Sequence, residues 1–403
     1  VTGGAEHQAH AEQGPGPGAG SEVTLAVIAR EWGRIGCVGF GGPPAHIALL
    51  RQLCVERRGW ISAAEFEDGI AATNLLPGPA STQLAIYTAW RLRGVAGALV
   101  GGVCFIVPGL LLILALAALF LAAGTPVWVR GAAAGAGAAV AAVAVHAAWG
   151  LVPGSWQRAG TARAARARWI AYALAGGVAA ATVGPWLLLL LIAAGLVEVA
   201  VRSGTDSTGG RRGAWPLPLA AVAPAAGGLL SLAWVAFKVG ALSYGGGFVI
   251  IPLMQSDAVN HYHWMTAGQF LNAVALGQIT PGPVVQTVAV VGYAAAGVGG
   301  GLLAAAVAFA PSFLFVLLGG RHFDRLRSNA HVQAFLTGAG PAVTGAIAGS
   351  AVPLALALGH GWQFAVLAAA ALWLVVLRRG VVTALLAAGG LGVVAALVGL
   401  PVG

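Results

Sequence analysis

The chain has 403 residues, of which 59% are hydrophobic and 8% charged, with a formal net charge of +9. Soluble domains carry about 25% charged residues, so this composition excludes a water-facing globular surface. It also removes the usual nucleic-acid meaning of a positive charge: the basic residues sit between apolar runs, as the positive-inside pattern expects, and aromatic-plus-basic nucleic-acid motifs are absent.

Residues 1–22 are polar and rich in Gly, Pro, Gln and His. They lack the basic start and short apolar core of a signal peptide and read as a disordered tail. Apolar runs follow at about 23–50, 94–122, 127–152, 169–183, 185–201, 217–254, 297–319, 331–356, 362–377 and 381–401. A membrane span needs about 20 such residues. Two more stretches, 62–90 and 266–296, are apolar but interrupted, at Pro77-Gly78-Pro79 and at Pro281-Gly282-Pro283. Such a tripeptide cannot continue a helix, because two N–H donors are missing and the glycine is flexible. Basic connectors lie at 51–58, 91–93, 153–168, 202–213, 321–327 and 378–379. Cys37, Cys54 and Cys104 form no CxxC pair and read as packing residues.

The two Pro-Gly-Pro tripeptides are 204 residues apart. The same offset aligns Gly36 with Gly240, Gly41-Gly42 with Gly245-Gly246, Ile47 with Ile251, Trp60 with Trp264 and Phe66 with Phe270. It also aligns Gly97 with Gly301, Phe105 with Phe309 and Arg34 with Lys238. Glycine matches are cheap in a chain with 62 glycines; the Trp and Pro-Gly-Pro matches are not. This is the signature of an internal duplication. It divides the chain into the tail 1–22, a first membrane repeat 23–201, a basic linker 202–216 and a second repeat 217–403.

Equivalent loops differ in charge. Arg51, Arg57 and Arg58 stand opposite the Gln255, Asp257 and His261 region, and Arg91 and Arg93 opposite Ala295 and Gly297. Opposed positive-inside signals imply inverted repeats. The expected fold is an all-α integral membrane protein of two inverted-topology repeats. It has about ten transmembrane helices plus two re-entrant segments broken at Pro-Gly-Pro. In the alternative, the interrupted segments or the Gly-Gly segments are true spans or further hairpins, which changes the count and the side of the termini but keeps the inversion.

Broken helices in inverted repeats are the architecture of secondary transporters. Non-helical backbone at membrane depth is tolerated only inside protein or beside a polar cavity. A helix that begins there points free N–H groups and partial positive charge into the site, which suits an anion. After the first break come Ala80-Ser81-Thr82-Gln83, and after the second Val284-Val285-Gln286-Thr287. The N–H groups of Ala80–Thr82 and Val284–Gln286 are expected to face substrate, with Ser81, Thr82, Gln83, Gln286 and Thr287 adding side-chain donors. The bland alternative, a Pro-kinked helix whose polar residues mend the backbone, is weakened by the duplication.

A second motif pair is Phe40-Gly41-Gly42-Pro43-Pro44-Ala45-His46 and Tyr244-Gly245-Gly246-Gly247. These glycines serve either positive φ or close helix packing; the sequence leaves both open. Arg34 and Lys238 are repeat-related cations. A charge at mid-membrane costs about 2.5–3.5 kcal/mol on insertion scales, so a cation there suits an anion path, with snorkelling as the alternative. Glu65, Asp68 and His46 are the proton-coupling candidates, although Glu65 and Asp68 also suit the first turn of a helix. His261-Tyr262-His263 reads as a surface loop, so no metal site is expected. No nucleotide loop, nucleophile motif or zinc-enzyme signature is found, so neither an enzyme nor a cofactor is expected.

At Phe40-Gly-Gly-Pro…Ala45-His46-Ile47 and Leu76-Pro-Gly-Pro-Ala-Ser-Thr-Gln83 the sequence resembles the chromate ion transporter family. Lys238-Val-Gly, Tyr244-Gly-Gly-Gly and Gln278-Ile-Thr-Pro-Gly-Pro283 repeat the pattern, as in the family's long two-domain form. The resemblance implies a multi-pass carrier in a bacterial inner membrane that expels chromate using the proton motive force. Sulfate or another oxyanion, or an anion channel, is the alternative, with the lipid bilayer and a second copy in a homodimer as partners. Carried over by motif, the functional positions are Gly41, Gly42, Pro43, His46, Pro77, Gly78, Pro79 and Gln83. In the second half they are Lys238, Gly245, Gly246, Pro281, Gly282, Pro283 and Gln286. Asn74 stands where the family commonly has Gln, and Gly39 where it often has a hydroxyl residue.

Overall fold

The computed structural model describes residues 23–402 except 75, 77, 123, 183–186, 206–227, 244–249 and 320–328. Pro77, Gly245 and Gly246 therefore lie outside the described residues. All regular structure among those described is helical. Among the described residues, four helices are long and apolar enough to cross a membrane: Ala80–Leu121, Val127–Ala159, Val284–Gly319 and Ala330–Leu356.

The first elements are helical hairpins. Helix α1 (Leu25–Val38) starts on the Thr24 side-chain cap and stops at Gly39. Gly41 (φ +97°) and Gly42 (φ +74°) turn the chain, and Pro43 opens α2 (Pro43–Arg51), which a π-helical turn extends over Gln52–Arg57. Positive φ is what glycine permits. Helix α2 runs back along α1: His46 reaches the Gly39 carbonyl, Trp60 stacks on Trp32, and Arg58 reaches Glu31. The run 23–50 is therefore not one continuous helix.

Helix α3 (Ala63–Thr73), capped by Ser62, and the start of α4 (Ala80–Leu121) form the second hairpin. Glu65 pairs with Arg91 at its open end, and Gly69 lies against Tyr87. The turn between the two helices is the first Pro-Gly-Pro break. Helix α4 then reverses at Arg93 (φ −142°, ψ 28°) and Gly94 (φ 57°, ψ −146°). Its outer limb returns so closely that a Cβ at Gly97 would lie 2.3 Å from the Ala89 carbonyl oxygen.

The second half has the same order. Helices α8 (Leu229–Leu242), α9 (Ile250–Gln255, extended over Ser256–His261) and α10 (Ala267–Ile279) lead to the second break. A 3-10 turn (Val284–Gln286) opens into α11 (Thr287–Gly319). Helix α11 reverses at Ala296 (φ −152°, ψ 32°) and Gly297 (φ 62°, ψ −156°). A Cβ at Gly300 would lie 2.3 Å from the Gly292 carbonyl oxygen. The two reversals are offset by 203 residues, not 204. The register slips by one between break and turn, where the second half is 3-10 rather than α. Gly36 accordingly abuts the Phe105 carbonyl while Gly240 abuts that of Ala308, so Phe105 corresponds to Ala308 and not to Phe309.

The outer limbs of α4 and α11 cross antiparallel, Gly102 against Phe313 and Leu114 against Gly301. Around them stand α5 (Val127–Ala159), α6 (Arg163–Thr182), α7 (Leu187–Thr205), α12 (Ala330–Leu356), α13 (Gly361–Ala371, extended to Val376) and α14 (Val381–Leu397). Helix α5 packs on α14 with Gly131 and Gly392 backbone to backbone. Helix α12 packs on α6 with Gly345 against the Ala173 carbonyl, and on α7 with Gly338 against that of Ala194. Small residues bring helix backbones together where lipid offers no hydrophobic driving force between helices.

Candidate functional site

Each break packs against the opposite half of the chain. The Gly282 N–H donates to the Gly39 carbonyl (3.0 Å). Gln286 Nε2 donates to the Ile106 carbonyl in the middle of α4 (2.8 Å). Gly109 packs on the Pro281 carbonyl, a Cβ at Gly78 would stand 3.4 Å from Ser312 Oγ in α11, and Gly42 neighbours Val284. Gly78 (φ +118°) and Gly282 (φ +97°) hold backbone conformations that L side chains rarely adopt.

At each break a proline carbonyl caps the next helix. The N–H groups of Thr82 and Gln83 donate to Pro79, and that of Gln286 to Pro283. Of the amides expected to face substrate, Ala80–Thr82 and Val284–Gln286, those of Thr82 and Gln286 are taken by these caps. The donors without an intrahelical acceptor are Ala80 and Ser81, and Val284 and Val285.

The polar side chains after the breaks are buried: Ser81, Thr82, Gln83, Gln286 and Thr287. Thr287 mends the backbone by donating to the Val284 carbonyl. Elsewhere the bonding is incomplete. Thr82 Oγ1, Ser243 Oγ, Gln278 Nε2, Gln286 Oε1 and Ser312 Oγ are buried and meet no hydrogen-bond partner among the described residues. Each such atom costs about 1–3 kcal/mol when left unpaired. Four of the five stand at a Pro-Gly-Pro break or face one, and Ser243 ends α8, so most of the cost is concentrated where a polar ligand or water would remove it.

Ser243, Gln278 and Ser312 were not among the expected site residues. By the 204-residue offset, Ser243 is the counterpart of Gly39 and Gln278 of Asn74. At the corrected offset of 203, Ser312 is the counterpart of Gly109, and each of these two faces the opposite half's break.

His46 is fully buried in the same cluster, edge-on to Phe105. Its Nε2 lies 2.9 Å from the Gly39 carbonyl, and its Nδ1 lies 3.2 Å from Ser81 Oγ. A carbonyl only accepts, so Nε2 carries a proton; when the ring is neutral, Nδ1 accepts from the Ser81 hydroxyl. Pro43 opens α2, Pro79 caps α4, and Pro281 and Pro283 flank Gly282 at the second break.

Other expected residues lie elsewhere. Arg34 is exposed on α1. Glu65 sits in its ion pair with Arg91 at the open end of its hairpin, and Asp68 is exposed on the same helix. Lys238 bonds Asp257 (Nζ to Oδ2, 2.7 Å) across the α8–α9 hairpin. Both side chains of this pair are mostly buried. Lys238→Gln leaves Asp257 unpaired and is expected to cost on the order of 2 kcal/mol, below the ~3–5 of a fully buried pair. A lower melting temperature in detergent, largely recovered by adding Asp257→Asn, checks this.

The family model for chromate transporters matches residues 26–199 and 230–393. A chromate transport protein of Cupriavidus metallidurans is 34% identical over 343 residues, covering 82% of this chain and 83% of the relative. A probable chromate transport protein of Synechococcus elongatus is 31% identical (80% and 82%), and a chromate transport protein of Pseudomonas aeruginosa is 31% identical (80% and 79%). No solved structure matches the chain. With both halves matched by one family model, and relatives of this similarity along most of its length, the chain belongs to the chromate transporter family.

Proposed function

We propose that this protein is a secondary active transporter that exports chromate across a bacterial inner membrane, driven by the proton motive force. The dianion binds between the two Pro-Gly-Pro breaks. The observation that carries this reading is the gathering of unpartnered buried polar atoms where two helices begin inside the fold. Each helix N-terminus contributes about 0.3–1 kcal/mol toward an anion, or nearer 2 when partly buried. Hydrogen bonds from Ser81, Thr82, Gln278, Gln286 and Ser312 supply the remainder. Three relatives carrying the name of chromate transport proteins support the substrate.

In this reading the halves, 23–201 and 217–403, are inverted repeats. The matched reversals at Gly94 and Gly297 and the antiparallel outer limbs support the inversion. The Gly-Gly segments join the Pro-Gly-Pro segments as re-entrant hairpins. Full crossings among the described residues are then the outer limbs of α4 and α11, and α5, α6, α7, α12, α13 and α14. The end of the fold bearing Arg51, Arg58, Arg91, Arg158 and Arg168 faces the cytoplasm.

Coupling runs through His46. Protonation of Nδ1 turns the ring from an acceptor into a donor toward Ser81 Oγ, so a proton arriving or leaving resets the hydrogen bonding of a site residue. Radiolabelled chromate uptake into inside-out vesicles tests the reading. Saturable uptake that an inwardly directed proton pump stimulates and sulfate competes with is expected. Absence of uptake at any gradient would overturn it, and uptake indifferent to the gradient would make the protein a channel.

A further inference from the structure

Two cavities lie one at each end of α5. The larger, about 620 Å³, reaches from Asn74 and Gly78 at the first break past Ser155 and Thr337 to Arg158. The smaller, about 460 Å³, is lined by Gln269, Asn272, Gln363 and Arg130. Among the described residues, neither has a carboxylate in its wall. Arg130 and Arg158 belong to one helix and stand 28 residues apart, or about 42 Å at 1.5 Å per residue. A bilayer with its headgroups is about 40–45 Å thick.

The neighbours of Arg158 show why it differs from the other arginines at its end. Arg168 and Arg202 share the buried Glu198, at 2.8 and 2.9 Å, so the three together keep one net positive charge, and Arg202 also lines the larger cavity. Arg166 lies over Trp156. Arg158 has no ion-pair partner among the described residues. Its guanidinium rests over Gly154 and Gly340, where a Cβ would stand 3.7 and 3.6 Å away. Ser155 accepts from Trp169 Nε1 at 2.9 Å, which leaves its own hydroxyl proton for a bond into the cavity. Arg130 likewise has no ion-pair partner among the described residues.

We infer that these cavities are the two vestibules of the transport path and that Arg158 and Arg130 are their selectivity residues, each gathering dianions at one mouth. An uncompensated charge in a low-dielectric cleft focuses the field and raises the local concentration of counter-ions. Arg158 serves the mouth that leads to the first break, on the face with the other arginines; Arg130 serves the opposite face. This rests on the oxyanion-transport reading above, and it adds residues that the Pro-Gly-Pro motifs do not include.

The test is sided. Arg158→Gln and Arg130→Gln are reconstituted, checked for monodispersity, and assayed for chromate entry from each face. Arg158→Gln is expected to raise KM about tenfold, the lower end of such focusing, for entry from its own face. It should keep the maximal rate from that face and leave the KM for entry from the opposite face unchanged, with Vmax/KM falling by the same factor in both directions as detailed balance requires. Arg130→Gln gives the mirror result, and Arg158→Lys, which keeps the charge, keeps KM near wild type. Wild-type KM rises with ionic strength on both faces. Unchanged KM in both variants, an equal rise on both faces, or a salt-independent wild-type KM would overturn the inference while transport itself stood. Absence of wild-type flux would instead remove the transport reading, and this inference with it.

Discussion

Gly109→Ala is expected to lower chromate transport on the order of 100-fold while leaving the chain inserted in the membrane. The added Cβ would lie 2.1 Å from the Pro281 carbonyl oxygen and 2.6 Å from Gln286 Oε1. The carbonyl cannot retreat freely, because the next residue, Gly282, donates its N–H to Gly39. Overpacking of this kind costs about 1–3 kcal/mol in stability, which a fold of this size survives. Its effect on geometry is larger, since a displacement of about 1 Å at a site can cost about 100-fold in rate. Gly299→Ala is the matched control: it meets no atom within 4 Å and keeps wild-type flux. Equal flux from the two variants would show that the Gly109 contact does not govern the site.

Gln286→Glu is expected to have the second large effect. Gln286 is fully buried, with Nε2 on the Ile106 carbonyl and Oε1 unpartnered. Glutamate keeps the shape, removes the donor and puts a negative charge beside a bound dianion. Two unit charges 4 Å apart repel by about 4 kcal/mol at an effective dielectric constant of 20, which is about 1,000-fold in affinity. Transport should therefore fall below detection at ordinary substrate concentrations. Gln286→Leu, which removes the hydrogen bonds without adding charge, is expected to lose only about tenfold. An equal loss in both variants would place the effect in packing rather than charge.

The Pro-Gly-Pro breaks and the pairing of the halves were legible in the sequence because proline and tryptophan matches rarely fall into one register by chance. Four things were not legible. The turn at Gly41-Gly42 reads equally as helix packing until the backbone angles are known. The one-residue slip is hidden because Gly299-Gly300-Gly301 offers Gly97 a glycine at either offset. The partner of Lys238 is Asp257, nineteen positions on and across a hairpin, a spacing with no helical period. Ser312 and Arg158 carry no motif of their own: Ser312 matters because Gly78 comes to rest against it, and Arg158 because Glu198 is taken by its neighbours.

The cluster between the breaks is the centre of this account, and equilibrium binding of radiolabelled chromate to the detergent-purified protein tests it most directly. Wild type and Gly299→Ala should bind saturably, with sulfate competing. Gln286→Glu, eluting as the same monodisperse species, should show no saturable binding. Wild-type binding by Gln286→Glu would contradict the account, because a dianion seated between the two Pro-Gly-Pro breaks could not ignore a carboxylate placed there.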